Sequence, residues 1–118
     1  METAFISGNR DRLKRMFGNL LSNAIRYSRQ GGKVQLAIKD NVDSYLFSVA
    51  DDGIGVPEKE QKKIFQGFYR TKGARLATDQ GTGLGLYYIK QVVDLHKGQI
   101  WLKSEENKGS TFFVKLKK

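Results

Sequence analysis

The stretch GTGLGLYYIK, residues 81–90, sets three glycines on alternate positions directly ahead of apolar, helix-like sequence. Glycine is costly inside regular structure, so this density marks backbone that must run where a side chain would obstruct. An anion seated at a helix N-terminus has that requirement. Two familiar phosphate loops are excluded. A P-loop needs GxxxxGK[ST], which the chain lacks. A dinucleotide fingerprint needs GxGxxG directly after a strand, whereas this string is GxGxG after a polar, aperiodic segment. What remains is a glycine-rich entry to a helix, with unpaired N–H groups facing an anion and Thr82 adding a hydroxyl. A glycine-rich hinge that closes a loop satisfies the same string.

Outward from that stretch, the remaining elements follow from periodicity. Leu13, Met16, Phe17, Leu20, Leu21 and Ala24 recur at helical spacing, with Asn9 as N-cap and Asp11 in the first turn. Paired glycines in SRQGGK stop that helix. KVQLAIK and SYLFSVA alternate and read as a hairpin across DNVD. Pro57 suits the first turn of a short helix over EKEQKKIF. Residues 67–81 read as a flap, residues 84–96 as a second long helix ended by Gly98, and QIWLKS with STFFVKLK as a final hairpin. The expected fold is an α/β (α+β) two-layer sandwich, with helices on one face of a mixed, mostly antiparallel sheet.

The 118 residues make one domain, 1–118, with no internal repeat. No apolar run is long enough to span a bilayer, and the N-terminus has no signal-peptide pattern. Absence of cysteine excludes disulfides and thiolate chemistry, and the single His96 excludes a paired-histidine zinc site. The net charge of +9 is scattered through every segment rather than blocked, so no nucleic-acid partner is expected.

Three constellations carry chemistry. Asn19, Asn23 and Arg26 fall on a narrow arc of the first helix, at the edge of its apolar stripe. An amide oxygen is a hard ligand for Mg²⁺ and a guanidinium grips phosphate oxygens, although an unliganded polar face has the same pattern. In VADDGIGVP, Asp51 ends a strand beside Gly53, Ile54 and Gly55. A carboxylate there can accept from the exocyclic amine that distinguishes adenine from guanine, and an acidic turn is the plainer alternative. The glycine-rich entry at residues 81–86 is the third.

Taken in order, NLLSNAIRYS, DDGIG, IFQGFYR, GTGLGL and GSTF resemble the N, G1, F, G2 and G3 boxes of sensor histidine kinases. The resemblance covers nearly the whole chain and is to the catalytic and ATP-binding domain (HATPase_c) of bacterial two-component kinases, which has a Bergerat-type fold. It implies ATP and Mg²⁺ as ligands. Asn23 would hold Mg²⁺, with Asn19 near the phosphates and Arg26 on the phosphate chain; Tyr27 would pack against adenine. Asp51 would accept the adenine amine, while Gly53, Ile54 and Gly55 let the backbone approach the base. Phe65 and Phe68 would anchor a lid, residues 69–80, that nucleotide orders. Arg70 and Arg75 would reach back to the phosphates. Gly81, Thr82, Gly83, Leu84, Gly85 and Leu86 would close the lid and open the phosphate-facing helix. Thr111 would line the far end of the adenine pocket.

Two positions depart from the family pattern: Asn9 stands where Asp is frequent, and Tyr87 where a small residue is usual. In related ATPases, the gyrase type among them, a glutamate acting as general base stands one turn before the metal-binding Asn. Here that place is Asn19, which cannot take a proton, favouring the histidine-kinase branch. The resemblance implies transfer of the γ-phosphoryl of ATP to a histidine on a separate helical dimerisation domain. His96, in DLHKG, is expected to pack or cap instead. The fragment is expected to be monomeric and cytoplasmic. Its parent is expected to be a membrane-bound homodimer that works through a response regulator.

Overall fold

The computed structural model describes residues 8–28, 31–66 and 85–118. Helix α1, Arg10–Tyr27, starts where the sequence places its cap. Asn9 has extended backbone and its side-chain oxygen accepts from the Arg12 N–H at 3.0 Å, satisfying one of the free donors of the first turn. Met16, Leu20 and Ala24 are buried one turn apart, and Phe17 packs its ring 4.7 Å from Phe47. Helix α2, Gly85–Leu95, buries Ile89, Val92 and Val93 against the same core.

Four strands lie beneath these helices: β1 (Val34–Asp40), β2 (Ser44–Asp51), β3 (Gln99–Glu105) and β4 (Gly109–Lys117). Their order is β1-β2-β4-β3, so the connection through α2 carries the chain beyond the place that β4 later fills. Alternation divides the sheet. Tyr45, Phe47 and Val49 of β2, with Val114 and Leu116 of β4, are buried on the helix side. Their neighbours face outward, where Trp101 stacks on its register partner Phe113 at 5.4 Å and 12°. Edge strand β1 extends past the helices: Leu36 and Ile38 pair with Val49 and Phe47, yet remain 50% and 44% exposed.

Three expectations change. Among the described residues every strand pair is antiparallel, so no mixed sheet is present there. The helix expected after Pro57 shortens to one 3₁₀ turn, Glu58–Glu60, followed by turns. Its EKEQKK stretch has no apolar residue to bury before Ile64, which is 3% exposed. The left-handed residue that closes α2 is Lys97 (φ 55) rather than Gly98. Gly98 N–H donates to Val93 O and Lys97 N–H to Asp94 O, the pairing of a Schellman end. Gly98 is needed for space instead, since a Cβ would press on the Lys115 carbonyl. The expected flap and the residues 81–84 lie outside the described residues.

Candidate functional site

The two helices run antiparallel. Asn23, late in α1, meets the start of α2, and Asn9, ahead of α1, meets the end of α2. At the first junction the Asn23 amide stands 3.7 Å (Nδ2) and 3.9 Å (Oδ1) from where a Cβ on Gly85 would sit. This places a neutral amide beside the first residue of α2, whose leading N–H groups have no partner within the helix. Asn19 lies one turn earlier and is half-buried, and Arg26 is exposed one turn later. Leu86 turns inward against the core and so fixes how α2 begins.

Asp51 ends β2 on the helix side of the sheet, in register with Ser110. Its Oδ1 accepts from the Gly53 N–H at 2.9 Å, and the Ser110 backbone N–H also serves the carboxylate. Burial raises its pKa above the ordinary 3.8; these two N–H groups oppose the shift and the neighbouring Asp52 charge adds to it. Asp52 points elsewhere and accepts from the Lys33 N–H. Asp51 is therefore a partly desolvated acceptor with capacity left for further donors.

The loop after Asp51 is held close to its surroundings. Ile54 N–H donates to the Tyr27 carbonyl at 3.3 Å, and Ile54 O accepts from Asn107 N–H at 2.7 Å. A Cβ on Gly53 would overlap the Tyr27 carbonyl, and one on Gly55 (φ 67) the Glu105 carbonyl. These glycines admit neighbouring backbone, a reason for their presence that the sequence does not reveal. Tyr27 thus joins the end of α1 to this loop through its carbonyl.

Thr111 is not brought to Asp51. It pairs with Ala50 and Lys103 on the opposite face, whereas Ser110 shares the face of Asp51. Sequence reading passed over Ser110, although strict alternation from buried Val114 and Leu116 would have found it. Phe65 packs edge-on against Phe112 at 6.4 Å, seating the segment that enters the expected lid. Phe68, Arg70, Arg75, Gly81, Thr82, Gly83 and Leu84 lie outside the described residues.

His96 has a structural engagement at the other end of the helices. Its Nε2 accepts from the Asn9 N–H at 3.1 Å, so Nδ1 carries the proton and donates to Val92 O at 2.8 Å. Both nitrogens are occupied, about 16 Å along α2 from Gly85. Among the described residues no group of three or more His, Cys, Asp or Glu could hold a metal ion. Asn23 offers one amide oxygen, so a divalent cation held there would take its other oxygens from phosphate and water, as Mg²⁺ does.

Comparisons with known proteins identify the family. Residues 8–118 match the family described as "Histidine kinase-, DNA gyrase B-, and HSP90-like ATPase". The chain is 41% identical over 114 residues to sensor histidine kinase WalK of Bacillus subtilis, covering 95% of this chain but 19% of that protein. Among solved structures, a mycobacterial sensor histidine kinase, MprB, superposes with a TM-score of 0.86 at 29% identity, covering 95% of this chain and 76% of that one. Full-length ShkA in complex with AMPPNP superposes at 0.74 with 26% identity, covering 89% of this chain and 21% of that one.

Proposed function

The chain belongs to the histidine kinase-, DNA gyrase B- and HSP90-like ATPase family, and on that footing we propose that it binds Mg·ATP and donates the γ-phosphoryl to a histidine of a separate helical domain. The observation that carries the reading is the junction of Asn23 with Gly85, which sets a hard oxygen ligand beside a helix start suited to phosphate. Asp51 supplies the second fixed point, a half-buried acceptor for the adenine amine. Arg26 contacts the phosphate chain, and Asn23 holds Mg²⁺. The ion supplies neutralisation of phosphate charge when bound.

In the transfer, the bond from the γ-phosphorus to the β,γ-bridging oxygen breaks and ADP leaves. A neutral imidazole nitrogen forms the new P–N bond, and the proton on its other nitrogen goes to solvent. Asn19 cannot serve as a base, and the imidazole lone pair needs none. This chain's contribution is therefore positioning. AMPPNP bound by ShkA supports a nucleotide as ligand. The parent is a dimeric sensor kinase acting on a response regulator, a reading supported by the kinases this chain resembles.

Thermal melting with Mg·ATP, Mg·GTP and duplex DNA tests the reading. A ligand at 100 times its Kd stabilises the folded state by about 2.7 kcal/mol. The expected result is a shift of several degrees with Mg·ATP and little with the others. A shift with DNA alone would overturn it.

A further inference from the structure

One row of side chains crosses three strands on the helix side of the sheet: Ser104 of β3, Ser110 of β4 and Asp51 of β2, each in register with the next. Ser104 has every hydrogen-bonding capacity of its hydroxyl used. Its Oγ donates to Gly109 O at 2.9 Å and accepts from the Val56 N–H at 2.8 Å. With its one proton committed, it accepts from the Ser110 hydroxyl at 2.8 Å. The same residue of the loop is also held through its carbonyl. Gln61 Nε2 donates to Val56 O at 2.9 Å and to Ser104 O at 3.2 Å. Both polar backbone groups of Val56 are thus held by side chains, one from the hairpin and one from the turn after the loop.

We propose that Ser104 is a positioning residue for recognition of the base: it fastens at Val56 the loop whose Gly53 N–H holds the Asp51 carboxylate, and so keeps that carboxylate aimed at an exocyclic amine. The proposal rests on the reading of Asp51 as the adenine acceptor. Besides Val56, the loop is held through backbone groups of Gly53 and Ile54. Gly53 and Gly55 lack side chains, and the bonds at Ile54 reach only Tyr27 and Asn107. Val56 is where the loop is fastened to the strand that also carries the partner of Ser110. Alanine at 104 leaves the Val56 N–H and the Ser110 hydroxyl without their acceptor and the Gly109 carbonyl without this donor. The loop that sets the Gly53 N–H against the Asp51 carboxylate then loses its fastening at Val56. A site aligned to one amine loses discrimination before it loses attraction for phosphate, because the phosphate end is built by α1 and α2 rather than by the hairpin.

The test uses the intact chain and compares Kd values for ATP, inosine triphosphate and inorganic tripolyphosphate, each with Mg²⁺. Inosine carries a carbonyl where adenine carries the amine. Wild type is expected to prefer ATP over inosine triphosphate by about tenfold or more. Ser104→Ala should narrow that preference to within about threefold with tripolyphosphate affinity unchanged, and Ser104→Thr should restore it. Gln61→Ala, which releases the carbonyl of the same residue, should narrow it in the same direction. It stands in if Ser104→Ala does not melt as a folded protein. An unchanged preference in the folded variants overturns the proposal and leaves the ATP reading intact. An equal fall for all three ligands overturns it as well, since that is general loosening. Lack of preference in wild type overturns the Asp51 reading itself and this proposal with it.

Discussion

Asp51 is a carboxylate maintained against its surroundings. Desolvation raises its pKa, and the N–H groups of Gly53 and Ser110 recover only part of that cost. A carboxyl whose folded pKa lies above its unfolded value stabilises the fold below the unfolded value, and the gain disappears as pH rises through the folded one. At neutral pH the ionised group therefore weighs on the free domain. Asp51→Asn is predicted to leave its Tm unchanged or raised by a few degrees at most, since the group is partly solvated. The same variant should weaken ATP binding about 10- to 100-fold, the worth of a hydrogen bond to a charged acceptor. Melts beside nucleotide titrations check both. On acidification, ATP affinity should fall at a pH above the ordinary 3.8, and the fall should vanish in the variant. Glycines allow a second comparison. Gly53→Ala drives a Cβ into the Tyr27 carbonyl and should cost about 1–3 kcal/mol. Gly18→Ala meets nothing within 4 Å inside α1 and should add about 0.5–1 kcal/mol. Paired denaturant curves separate the two. The sequence showed that both DDGIG glycines matter, but not what approaches them, because carbonyls of Tyr27 and Glu105 are brought there by tertiary structure.

Helix ends show what local sequence can and cannot specify. The cap at Asn9 was legible because capping depends on a side chain and the three residues after it. Asn9→Ala should lower stability by about 1 kcal/mol, read as a lower denaturation midpoint, and Asn9→Asp should restore it. The end of α2 was legible only to within one residue. Glycine near a helix end suggests the left-handed position, yet Lys97 occupies it and Gly98 serves packing against β4. Lys97→Gly should therefore leave stability unchanged or raise it by up to about 1 kcal/mol, relief of left-handed strain outweighing lost entropy. The same melts measure it. Strands follow a similar rule. Alternation identified all four, but the sequence pointed to Thr111, whereas Ser110 is the residue that shares the face of Asp51; one register step exchanges the faces of the sheet.

At the scale of the whole chain, the sequence revealed the layers through the spacing of Met16, Leu20 and Ala24 and the alternation around Phe47. It did not reveal the exposure of Leu36 and Ile38, which have the pattern of buried residues yet stand 50% and 44% exposed on the edge strand β1. The chain spans about a fifth of WalK, 19% of its length, so the acceptor histidine of the proposed reaction is sought outside it. His96 is the one internal candidate, and both its nitrogens are engaged at the end of the helices far from Asn23. Incubation with γ-labelled ATP should thus leave this chain without acid-labile phosphate. Addition of a helical dimerisation domain bearing a histidine should label that domain alone. His96→Gln should keep the labelling within about twofold, provided the variant stays folded, because it removes a clasp between α1 and α2 rather than an acceptor. Asn23→Ala should abolish labelling, since it removes the amide oxygen proposed to hold the cation at the start of α2. Label on this chain that disappears in His96→Gln would mean that the histidine leaves its bonds to Asn9 and Val92 to reach the nucleotide, and transfer to a separate domain would then be the wrong reading.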